Sequence, residues 1–189
     1  MNSNQVKLLL IISIFLLPFI ISFLLLDDYT EDKEWETTNY GELIKPIVPI
    51  TNIKINTASD ISNTNSFNGK WSLLYYLKND CLKTCEDNIY LLRQVNTALG
   101  KDMDRLQRIL MFDKNVEYSS ELLTSYPGLI YIYNKPNSLH GLLNTVSDDE
   151  SSILLIDPLG NVILKYSEEL QGKRLLKDLK KLLKLSRIG

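Results

Sequence analysis

From Leu8 to Leu26 the chain reads LLLIISIFLLPFIISFLLL, nineteen residues without a charge. A helix rises about 1.5 Å per residue, so this run covers roughly 28 Å, close to the thickness of a bilayer's hydrocarbon core. Pro18 would break a helix in water, but a membrane-spanning helix tolerates it because local rearrangement recovers the lost backbone bond. A cleaved signal peptide has a shorter apolar region, about 7 to 15 residues, followed by a small-x-small site. Here the run ends in Leu24-Leu25-Leu26-Asp27-Asp28, so residues 8–26 read as an uncleaved transmembrane anchor. Lys7 precedes it, while Asp27, Asp28, Glu31 and Asp32 follow. The bias of basic residues toward the cytoplasmic side then puts residues 1–7 in the cytoplasm. The expected location is the inner membrane, with the body of the chain facing the periplasm.

The rest of the chain has room for one ordinary domain. Its charge is split. Residues 27–170 carry 22 acids against 13 bases, and residues 171–189 carry one acid against seven bases. An acidic body argues against a nucleic-acid partner, which needs a basic face to neutralise phosphates. Residues 27–66 are polar and irregular and read as a tether with peripheral strands, including a Pro-bounded edge strand within Leu43–Lys54.

From residue 67 to 189 the patterns sharpen into one domain. Asn68-Gly69 is a turn pair, and Trp71–Leu77 (WSLLYYL) has the uninterrupted apolar character of a strand buried on both faces. Ile89, Leu92, Val95 and Leu99 recur at helical spacing over Thr84–Leu99, with Gly100 as the stop. Leu106–Phe112 and Leu129–Tyr133 read as strands, Ser119–Tyr126 as a short helix, and Asn134–Ser152 as a loop. Ile153–Ile156 and Val162–Tyr166 flank Asp157-Pro158-Leu159-Gly160-Asn161 as a hairpin. Leu175, Leu176, Leu179, Leu182 and Leu183 mark a final amphipathic helix. Tyr75, Tyr76, Tyr131 and Tyr133 fall in strands and are expected in the core. This order predicts an α/β fold, a thioredoxin-like mixed sheet flanked by helices and preceded by one transmembrane helix.

Cys81 and Cys85 stand at the mouth of the first domain helix, where unpaired N–H groups and the helix dipole favour thiolate over thiol. Lys78 and Lys83 act in the same direction; Asp80, Glu86 and Asp87 oppose them. The spacing is C-x3-C, wider than the C-x2-C of thioredoxin-type oxidoreductases, and suits two thiolates converging on a soft ion such as Cu(I). With His140 the chain offers three Cys or His residues, one short of a structural zinc site. A structural disulfide is the plain alternative, although closing so short a loop restrains little of the unfolded chain.

The region from about Tyr40 to Gly189 resembles the Sco/SenC family of membrane-anchored, thioredoxin-like proteins. Four features carry the likeness: the anchor, Gly69-Lys70-Trp71 leading into the first strand, the C-x3-C pair, and Ile153–Asn161 as the late strand and hairpin. Ala98–Arg105 and the tail from Leu176 are similar to a Sco-like protein found beside bacterial cytochrome oxidase genes. The resemblance implies a metallochaperone or assembly factor for cytochrome c oxidase, with Cys81 and Cys85 as Cu(I) ligands. Its partner would be an oxidase subunit or another copper-assembly factor.

Two departures from familiar patterns stand out. Asp149 occupies the place of the family's third ligand, a histidine, and His140 lies nine residues earlier. Residues Ser147–Ser152 hold no proline where thioredoxin-type enzymes place a cis-proline, and the Pro-x3-Thr-x2-Cys loop of peroxiredoxins is missing. A second reading is a thiol-disulfide reductase that keeps oxidase or chaperone cysteines reduced, Cys81 attacking and Cys85 resolving. A third is a docking protein whose cysteine pair is structural. The basic residues of the last helix read as a solvated face, or more sharply as a surface for anionic lipid or an acidic partner.

Overall fold

The computed structural model describes residues 2–30, 38–50, 67, 69–78, 80–112, 125–133, 138–147 and 151–188. The helix expected over Ser119–Tyr126 falls outside them except for its last two residues. The chain divides into two units, Met1–Thr38 and Asn39–Gly189. In the first, helix α1 (Ser3–Thr30) contains a stretch, Ser3–Leu24, that is long and apolar enough to cross a membrane and has no part of its apolar window buried. Phe15, Phe19 and Phe23 project from it exposed, together with leucines and isoleucines all round its circumference. A helix apolar on every face suits lipid rather than a groove on a protein.

The second unit is built on a six-stranded sheet: β1 (Glu42–Pro49), β2 (Trp71–Leu77), β3 (Leu106–Phe112), β4 (Leu129–Tyr133), β5 (Ser152–Ile156) and β6 (Asn161–Ser167). Their order across the sheet is β1-β6-β5-β2-β3-β4. β2, β3 and β4 run parallel, while β5 and β6 return antiparallel on the other side of β2 and β1 closes the edge against β6. All seven residues of β2 are buried, because the strand is paired on both sides and covered on both faces. That is why WSLLYYL lacks the alternation of a half-exposed strand. β1 has mostly exposed positions, and its register shifts between Leu43 and Val48, the stretch that holds Pro46. A bulged edge strand is where a residue without an N–H does least harm to the ladder.

Helices α2 (Lys83–Ala98) and α4 (Gly172–Leu185) cover one face. Ile89, Leu92 and Val95 of α2 and Leu175, Leu179 and Leu183 of α4 join Leu73, Tyr75 and Leu77 of β2 in the main core. Each leucine so buried stabilises the fold by about 2 kcal/mol. α2 ends as its glycine predicts: Gly100 takes φ +61° and opens a short 3-10 helix, Gly100–Arg105. Helix α3 (Ser138–Ser147) covers the other face, with Leu143 and Val146 packed beside Leu74, Tyr76, Ile109 and Met111. This helix corrects the reading of Asn134–Ser152 as a loop. Ten residues with Gly141 at the centre leave a weak helical signature, and burial of Leu143 and Val146 supplies what propensity does not.

The β5–β6 turn is closed by Asp157, whose Oδ1 accepts from the backbone N–H groups of Leu159 at 2.9 Å and Asn161 at 2.8 Å. At the far end of β6, a single buried carboxylate gathers three donors. Asp178 of α4 accepts from the N–H of Tyr40 at 2.9 Å, the N–H of Gly41 at 3.0 Å and the hydroxyl of Tyr166 at 3.0 Å. Strand β1, strand β6 and helix α4 are thereby tied at one point.

Candidate functional site

The cysteine pair sits at the end of the sheet where the parallel strands finish. β2 ends at Leu77, the chain passes through Lys78 and Asp80, and α2 begins at Lys83, so Cys81 precedes the helix and Cys85 is its third residue. Leu82 is the N-cap residue and supplies no side-chain cap, which leaves the first N–H groups of α2 directed at the loop. Within the loop Leu82 N–H donates to the Asp80 carbonyl at 2.9 Å, and Glu86 N–H donates to the Leu82 carbonyl at 3.2 Å. The pair is closed as a disulfide with the two Cα atoms 5.1 Å apart.

The two sulfurs have different surroundings. Cys85 is 2% exposed and belongs to the main core with Tyr75, Leu77 and Ile89, whereas Cys81 is half-buried at its margin. A partner approaching from solvent meets Cys81 first. Leu82, between them, is 72% exposed. Lys83, Glu86 and Asp87 are all exposed as well, so their opposing charges act on the loop through water and are screened by it. The uncapped helix end is the more constant influence, and it favours an anionic sulfur.

Beneath the loop, the Tyr75 hydroxyl donates to the Glu168 carboxylate. Burial, and then that carboxylate, push the Tyr75 phenol well above its ordinary value, so it stays protonated as a donor. On the β5 side, the N–H of Lys78 donates to Ser151 Oγ at 3.0 Å. Ser151 also lines a cleft of about 740 Å³ together with Ser147, Ser152, Tyr166, Gln171 and Arg174. Neither cysteine lines it. Ser152 is 1% exposed, and its hydroxyl has no hydrogen-bond partner among the described residues.

His140 lies in the first turn of α3, whose buried residues pack on the face of the sheet opposite to Cys85; its side chain, like Asp149, lies outside the described residues. Among the described residues no group of three or more Cys, His, Asp or Glu side chains is gathered as a metal site. Two features escaped sequence reasoning. The serines around the start of β5 carry no recognisable motif. Asp178 had a visible signal: it is the one acid in a helix rich in lysine, three residues after Leu175 and so on the leucine side.

The family described as "Transmembrane-like, thioredoxin-like, C-terminal domain" matches residues 71–186. No curated protein sequence matches the chain. Among solved structures, apo Sco1 from Thermus thermophilus superposes with a TM-score of 0.59 at 15% identity, over 78% of this chain and 99% of that one. Copper-bound ScoI from Arabidopsis thaliana gives 0.51 at 16% identity, over 64% and 88%. A putative thioredoxin from Neisseria meningitidis gives 0.52 at 12%, over 80% and 94%. At these identities the likeness is one of fold, and it agrees with the β-Cys loop-α order and the mixed sheet described above. The chain belongs to the family of transmembrane-like, thioredoxin-like C-terminal domains and has the fold of the Sco proteins its sequence resembles.

Proposed function

We propose that the protein is a membrane-anchored, Sco-like assembly factor for cytochrome c oxidase that handles Cu(I) through Cys81 and Cys85 during maturation of the oxidase copper centre. The observation that carries this reading is the closely spaced C-x3-C pair at an uncapped helix N-terminus in a Sco fold. The Arabidopsis protein of the same fold was solved with copper bound. The cargo requires the reduced pair: an external dithiol supplies two electrons and two protons to open the disulfide, and binding Cu(I) then releases both thiol protons. Two thiolates suffice for linear Cu(I), so the reading does not depend on His140 or on a ligand at position 149. The anchor would keep the domain on the periplasmic side of the inner membrane, beside an oxidase subunit or another copper-assembly factor.

Competition for Cu(I) against a chromophoric chelator, with the full chain reduced in detergent, tests it. The expected result is one-to-one binding that is lost in Cys81→Ser and in Cys85→Ser and kept in His140→Ala. Equal loss in His140→Ala would make the histidine a third ligand. Failure to compete would remove copper carriage.

The unequal exposure of the two cysteines favours a second reading, a thiol-disulfide reductase. The Cys81 thiolate would attack a target disulfide and Cys85 would displace the target's thiol, so that the reduced pair becomes a disulfide as the target gains two electrons. In that case Cys85→Ser accumulates a mixed disulfide through Cys81 with a model disulfide peptide, and Cys81→Ser does not. Full oxidase assembly with both cysteines replaced would leave docking alone.

A further inference from the structure

We propose that the exposed basic face of α4 is a docking surface for anionic phospholipid headgroups of the membrane that holds the chain. The helix is two-sided. Leu175, Leu179 and Leu183 are buried against the sheet, and its one acid, Asp178, is turned inward to Tyr40, Gly41 and Tyr166. Lys173, Lys177, Lys180, Lys181 and Lys184 follow one another at steps of four, three, one and three residues, which at 100° per residue gathers them into a single stripe. All five are exposed, as are Arg174 and Arg187. The body of the chain is acidic, so this stripe is a local concentration of positive charge and not a sample of a basic protein. At its end, Leu185 is 73% exposed and Ile188 56%, beside Lys184 and Arg187. Bare apolar side chains among bases are what a helix lying in a lipid interface presents.

The second observation is where the chain joins the domain. The Tyr40 ring lies beneath Arg174 and Lys177, 5.5 and 5.6 Å from its centroid, and its hydroxyl accepts from Lys177 Nζ at 3.3 Å. The N–H of Tyr40 is fastened to Asp178 of the same helix. Residues 31–39, which follow α1, reach at most about 30 Å when extended, and the end they hold is the basic face. Attraction of lysine and arginine to an anionic surface adds across a stripe and fades within a Debye length, about 10 Å at 0.1 M salt. A chain segment of that length lets the stripe reach such a surface, and attraction then acts once it is there. The exposed Leu185 and Ile188 and this attachment favour lipid over an acidic protein as the occupant.

The full chain, reconstituted into vesicles of phosphatidylcholine alone or of phosphatidylcholine with phosphatidylglycerol, can be acylated on lysine and read by mass spectrometry. Both vesicle types should carry the protein through the apolar helix, so failure of the anchor shows separately as failure to float with either. The expected result is several-fold slower labelling of Lys173, Lys177, Lys180 and Lys184 in the anionic vesicles only, reversed by high salt, with Lys101 labelled alike in both. A chain with Lys177, Lys180, Lys181 and Lys184 replaced by Gln should melt like the wild type but lose the protection of Lys173. Equal labelling in the two kinds of vesicle overturns the proposal, as does protection that requires an added acidic protein.

Discussion

Asp178 accepts three hydrogen bonds that tie β1, β6 and α4 together. Replacing it by Ala would leave two backbone N–H groups and the Tyr166 hydroxyl without their acceptor in a buried place. The expected loss is about 3 kcal/mol, read as a lower midpoint in urea, while Tyr166→Phe, which removes one bond and strands no backbone group, should cost about 1 kcal/mol. The same tyrosine predicts alkaline behaviour. Burial, then the Asp178 carboxylate, push the Tyr166 phenol far above the ordinary value of 10.0, and burial with Glu168 does the same for Tyr75. Folded, both keep their protons where the unfolded chain loses them. Their stabilising contribution is therefore complete below about pH 10 and declines as pH rises beyond it, by about 1.4 kcal/mol per pH unit for each tyrosine. Denaturant titrations between neutral and strongly alkaline pH should show this decline, and Tyr75→Phe or Tyr166→Phe should make it shallower.

Among the elements, α2 and β1 make contrasting predictions. The first turn of α2 holds Cys85 in the core, and Cys81, just before the helix, lies at the margin. Both Ser variants lose the disulfide, worth at most about 2 kcal/mol for so short a loop. Cys85→Ser also buries a hydroxyl among apolar side chains, so it should melt below Cys81→Ser, by an additional 1 kcal/mol or so. Equal melting points would mean that the burial of Cys85 contributes nothing. β1 is held at its start by close approach. A Cβ on Gly41 would stand 2.6 Å from the Tyr166 ring, and that ring is tied through its hydroxyl to Asp178. Gly41→Ala should destabilise by about 1 to 3 kcal/mol through overpacking, and the same change made in a Tyr166→Ala background should cost less in thermal melts. The elements differed in how readily their sequences disclosed them. β2 and β3 are legible because burial on both faces demands an unbroken apolar run, and α2 and α4 because one buried face repeats every three or four residues. α3 is short and glycine-interrupted, so its pattern carries little weight until Leu143 and Val146 meet the sheet.

The whole molecule combines an apolar helix with a separate folded unit. If Ser3–Leu24 anchors it, the full chain should stay in the membrane pellet after an alkaline carbonate wash, and a chain lacking residues 1–26 should move to the supernatant with its cysteines equally reactive toward an alkylating reagent. The apolar N-terminal helix, the both-face-buried strands, the cysteine pair at a helix mouth and the basic last helix were determined by the sequence alone. Each depends on composition or spacing within twenty or so neighbouring residues, the range over which local patterns act. Only the tertiary structure decided that Cys81 and Cys85 differ in exposure, that Asp178 faces inward, and that Tyr40 packs on the basic face of α4. Those facts depend on which surfaces pack together across the chain: Tyr40 and Asp178 meet over a separation of 138 residues. Burial at such distance is set by the assembled sheet and its covering helices, and no short window of sequence contains it.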